Sequence, residues 1–135
     1  MTLPLNAAQR RELANLRRCA SYDCIAKKAF HSAAKSALRR LVKKMGLVKG
    51  QYDLHTCNGG DAIAGETILH TDHFQVFVTQ ELCQPGCTVL YRSCAGRRDH
   101  VGGVNRYTGP EELVHGDALA SLLLRVARDQ GRMAA

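Results

Sequence analysis

Residues 66–94, ETILHTDHFQVFVTQELCQPGCTVLYRSC, decide how this chain is read. The segment 66–80 reads as one long strand with Phe74, Val76 and Val78 on one face. QPG at 84–86 is turn chemistry, and TVLYRSC at 88–94 reads as the next strand. Upstream, YDLHTC at 52–57 sets Tyr52, Leu54 and Thr56 against Asp53, His55 and Cys57, and NGGD at 58–61 follows as a turn. Strands joined by such short connections cannot be parallel neighbours, so an antiparallel meander of three or four strands is expected.

The segments on either side have a helical period. At the start, Asn6 and Gln9 form a capping-box pair ahead of Leu13, Leu16 and Ala20. A second helix is expected from about Ser21, with Asp23 in its first turn. Within it, KKAFHSAAKSALRRLVKKMG at 27–46 alternates basic and apolar doublets every four residues. A four-residue repeat drifts by about 40° per repeat on a helix. The drift leaves two options: one helix 21–46 that winds its apolar stripe around a compact partner, or two helices broken near Ser32. Gly46 ends the pattern, with Leu47 placed for the hydrophobic contact of a left-handed cap. At the other end, Pro110, Glu111 and Glu112 open a helical turn that Gly116 interrupts. Asp117 begins a final helix with Leu119, Leu122, Leu123 and Val126 on its apolar face, and Gly131 is expected to close it. Helices, then strands, then a helix is an α+β order, expected as a single domain over 1–135. Its parts are a basic helical layer (1–50), an antiparallel sheet (51–109) and a C-terminal helix (110–131).

Charge divides the chain in the same place. Residues 1–50 carry 12 Lys and Arg against Glu12 and Asp23, whereas residues 51–135 carry 7 Arg, no Lys and 10 acids. The overall charge of +7 is therefore a balance of +10 against −3. A one-sided excess builds a local potential that attracts polyanions. The competing reading is an ordinary solvated helix face. It fits less well, because two acids cannot lace twelve bases and like-charge repulsion destabilises the folded chain.

The expected role is therefore non-enzymatic binding of nucleic acid or a nucleoprotein complex. Arg10, Arg17, Lys27, Lys28, Lys35, Arg39, Arg40, Lys43 and Lys44 would supply the field. The glycine-rich loop AGRRDHVGGVNRYTG at 95–109 would add Arg97, Arg98 and Arg106, with Gly96, Gly102 and Gly103 freeing backbone N–H groups for an anion. A helix-turn-helix is not preferred, since no Gly marks a turn between a second and a third helix. Tyr52, Tyr91 and Phe77 would offer stacking surface if they shared an exposed sheet face, but no RNP-type signature occurs and core packing is the favoured reading for most of these rings.

Two other functional classes compete. One is an interaction module, a regulator or inhibitor of the phage or mobile-element type, that docks on an acidic protein surface of a larger nucleic-acid-processing machine. The other is a small hydrolase or transferase using His70 with Asp72 on one strand face and His100 nearby. No nucleophile elbow or metalloprotease helix supports that class.

Metal and membrane readings are weaker. Cys83, Cys87, Cys94 and His100 are the candidate zinc set, but the spacing is C-x3-C without a second close pair, so no cofactor is expected. Cys19 and Cys24 read as small apolar fillers at helix ends. The most apolar run, LASLLLRVA, is too short to span a bilayer, and the basic helix has an Ala-rich apolar side with few membrane anchors. The start of the chain lacks the apolar stretch of a signal peptide, so the expected location is cytoplasmic with reduced thiols and no membrane partner.

Overall fold

Asn6 opens the first helix as its neighbours dictate. In the computed structural model, which describes residues 4–134 and side chains as far as residue 130, α1 spans Ala7–Arg17. The Gln9 N–H donates to Asn6 Oδ1 at 2.8 Å, and Gln9 Oε1 accepts from the Asn6 N–H at 3.0 Å. Leu13 and Leu16 are its buried residues.

The second helix starts later than Ser21. α2 spans Cys24–Lys44 without a break, and its N-cap is Asp23, whose carboxylate accepts from the Ala26 N–H at 3.0 Å. The cap moves because Tyr22 takes a left-handed backbone, φ 56°, which no helix can continue through. The four-residue drift is absorbed by burial on several sides. α2 packs on α1, on the sheet and on both C-terminal helices. Its buried residues Ala26, Phe30, His31, Ala33, Ala34, Ala37, Leu38, Leu41 and Val42 cover about 180° of an ideal helical wheel. Gly46, φ 74°, ends the helix, and the Leu47 N–H donates to Val42 O at 3.1 Å while its side chain packs on the core.

The sheet has five strands, one more than the upper expectation. β1 (Tyr52–Cys57), β2 (Glu66–Thr71), β3 (Phe74–Thr79), β4 (Thr88–Ser93) and β5 (Arg106–Thr108) form an antiparallel meander in sequence order. The expected single strand over 66–80 is a hairpin. Thr71 makes the turn: its hydroxyl accepts from the N–H groups of His73 and Phe74 and donates to Phe74 O at 2.8 Å. β5 lies inside what reads in sequence as loop.

Leu69, Val76, Val78, Val89 and Tyr91 face the helices and fill the core with Phe30, Leu38 and Leu41. His55, Ile68, Phe77, Leu90 and Tyr107 form a cross-strand row on the other face. The C-terminal segment is two helices, α3 (Pro110–His115) and α4 (Asp117–Ala134), joined through Gly116 at φ 85°. α4 continues through Gly131 rather than closing there.

Candidate nucleic-acid interface

The basic doublets of α2 are split by the fold. Arg40 turns inward and grips Glu12 with both terminal nitrogens, at 2.6 and 2.7 Å, and also reaches Val114 O. Lys44 pairs with Asp117 at 2.6 Å. These two cations fasten α2 to α1 and to the C-terminal helices. Arg17 likewise pairs with Glu111 at 2.5 Å, Arg10 donates to Leu5 O, and Lys27 donates to Gly60 O at 2.9 Å.

Of the remaining cations of α2, Lys28, Arg39 and Lys43 are exposed and Lys35 is half-buried. Lys28, Lys35, Arg39 and Lys43 have no carboxylate within ion-pair distance among the described residues. Positions 28, 35, 39 and 43 fall within about 80° of one another on an ideal wheel, along a line of about 22 Å. Small exposed Ser32 and Ser36 lie between them, so nothing bulky blocks close approach.

Beside the first half of this line lies a cleft of about 620 Å³, between α2 and the end of the edge strand β1. Lys27, Lys28 and Lys35 form one wall, and Asn58, Gly59 and Asp61 the other. His31 is its buried base. A carbonyl accepts from Nε2, which therefore carries the proton and donates to Ala64 O at 2.7 Å, while Nδ1 accepts from the Thr67 hydroxyl at 2.9 Å. Burial pushes the His31 pKa below its ordinary value, and the charges of Lys27 and Lys35 add to this against the opposing Ala64 bond. His70 is shifted the same way, first by burial and then by His55, with Asp53 opposing. A histidine held neutral in the fold gives stability that is complete above its unfolded pKa of about 6.5 and is lost as pH falls below it. Urea unfolding should therefore show lower stability at acid pH, with a slope of at most about 1.4 kcal/mol per pH unit for each proton taken up. His31→Gln should flatten that slope; an unchanged slope would show that His31 is not one of the groups responsible.

No family model, curated protein or solved structure matches this chain.

The glycine-rich loop is placed differently from the stripe. Arg97 is consumed internally, donating to Asp72 at 3.1 Å, to Asp53 at 3.2 Å and to Gly50 O. The loop's exposed N–H groups already hold an anion of their own. The Asp99 carboxylate accepts from Ala95, Val101 and Gly102, which drives its pKa down. Arg92, a residue that sequence reading passed over, pins the loop by donating to Val101 O, His100 O and Gln75 Oε1. Of the expected loop cations, Arg98 and Arg106 are exposed, and Arg106 sits on β5, the sheet edge opposite β1.

The other expected constellations are not brought together. His70 lies in β2, opposite Asp53 of β1, while Asp72 sits in the hairpin turn with Arg97, so the two do not share a strand face. His70 Nδ1 is shielded from solvent without a hydrogen-bond partner among the described residues. Cys83 is exposed, whereas Cys94 is buried with its thiol on Thr71 O, and burial raises the Cys87 thiol to about 12. No group of three metal-binding side chains converges among the described residues. Cys24 is exposed at the start of α2 rather than filling the interior. Tyr52 packs on the core and Tyr91 is part of it, so neither shares the open sheet face with Phe77, and the Arg92 guanidinium covers the Phe77 ring at 5.0 Å. No described helix is long and apolar enough to cross a membrane.

Proposed function

We propose that this chain binds nucleic acid, free or within a nucleoprotein complex, through the outward line of α2. One observation carries the reading: the fold pairs off some of its helical cations and leaves Lys28, Lys35, Arg39 and Lys43 aligned without carboxylates among the described residues. Such a line suits a phosphate backbone, whose contacts supply affinity without base specificity by releasing condensed counterions. Arg98 and Arg106 lie outside it and are not assigned to this contact.

Four phosphate contacts set the size of the salt effect. The slope of log K against log salt should be about −2.8 for a single strand and about −3.6 for a duplex. Fluorescence anisotropy with a labelled oligonucleotide across a salt series measures it. A slope near zero would sink the proposal, whatever the affinity.

A further inference from the structure

Resting on that reading, we infer that the nucleic acid is single-stranded, with a base stacked on Tyr22 and the adjoining phosphates on the lysine wall of the α2 cleft. Tyr22 is the least explained residue of the amino-terminal region. It holds a left-handed backbone, φ 56°, which a bulky aromatic rarely adopts and which Gly or Asn would take at lower cost. Yet its side chain contributes nothing to the core, for it is 73% exposed.

The surrounding linker is tied down on all sides. The Tyr22 N–H donates to Asp61 O at 2.7 Å. The Ala20 N–H donates to Gln80 Oε1 at 2.8 Å, and Ser21 Oγ accepts from the Cys83 N–H at 2.9 Å. Arg18 pairs with Asp23 at 3.2 Å. The ring is thus carried on an anchored backbone at a fixed place, which lowers the entropic cost of stacking.

That place is continuous with the basic cleft. Tyr22 lines a recess of about 280 Å³ that shares Cys24, Lys27 and Asp61 with the larger cleft of about 620 Å³. The larger cleft alone is in the size range of small-ligand sites, about 300–1,000 Å³. An exposed ring followed by Lys28 and Lys35, with Lys27 between them and the ring held on Gly60 O, is the combination that single-strand binders use: a stacking platform beside a positive groove. Bases of a duplex are already stacked on each other and cannot meet Tyr22, so the ring has work to do only with an unpaired strand.

The test is anisotropy with one labelled mixed-sequence strand, the same sequence as a duplex, and heparin as competitor. We expect the strand to bind about tenfold more tightly than the duplex at equal salt. Tyr22→Ala should lose about tenfold on the strand, leave duplex binding and the salt slope unchanged, and be rescued by Tyr22→Phe. Thermal melts of each variant separate lost stacking from lost folding. Equal affinity for strand and duplex, heparin displacing the strand equally well from wild type and Tyr22→Ala, or a Tyr22→Ala variant that binds as wild type, each overturns the inference while the backbone contact stands. Absence of salt-dependent binding to either nucleic acid overturns both.

Discussion

Replacing Lys28, Lys35, Arg39 and Lys43 together with Glu is expected to weaken binding to a single strand by two to three orders of magnitude at about 0.1 M salt. The size follows from counterion release. Each lost phosphate contact removes about 0.7 from the slope of log K against log salt, and four contacts over the decade from about 1 M to 0.1 M amount to about 2.8 in log K. The slope itself should collapse toward zero. The informative control is Arg40→Ala with Lys44→Ala. It removes the same kind of charge from the same helix, but from the pairs with Glu12 and Asp117. That double variant should lose stability, most of it through the half-buried Glu12 left without its partner, and keep its salt slope. If both variants lose binding alike, the net charge of the chain matters and the aligned face does not.

The contrast between those variants also marks what sequence reasoning reaches. Arg39 with Arg40, and Lys43 with Lys44, are identical doublets in sequence. What separates their members is a carboxylate 28 residues away for Arg40 and 73 residues away for Lys44. Arg97 is set apart from Arg98 in the same way, because its partners Asp53 and Asp72 come from β1 and from the β2–β3 turn. Local chemistry was legible wherever the deciding contacts are local. The Asn6–Gln9 box, the Gly46–Leu47 cap and the Pro110 start are all written within a few residues. The β2–β3 hairpin was missed because its turn has no Gly and rests on one threonine hydroxyl. β5 was missed because three residues are too few to display a period of two. Tyr22 carries no signal in sequence at all, since only its backbone angle and exposure distinguish it.

Gly65→Ala should cost about 3 kcal/mol of stability or more, from two additive causes. Gly65 has φ 81°, a region that costs a non-glycine residue about 1–3 kcal/mol. A Cβ there would also lie 2.2 Å from Cys57 O and 2.7 Å from Asn58 O, both backbone atoms that cannot swing aside. Relief requires moving the end of β1 away from the start of β2, where Cys57 and Glu66 are register partners. For a chain of this length such a loss lowers the melting temperature by about 10 °C or more. Gly46→Ala isolates the first cause. Its φ is 74°, so the backbone strain is similar, but nothing lies within 4 Å of its added Cβ. It should lose only about 1 kcal/mol, the lower end of that strain cost. Equal melting temperatures for the two variants would mean that the backbone does not approach Gly65 so closely. Because residues 58–61 wall the cleft and Ala64 anchors His31, Gly65→Ala should also cost strand binding at temperatures where the fold survives. The salt slope, set by the outward cations of α2, should then persist while the tenfold preference for single strands disappears.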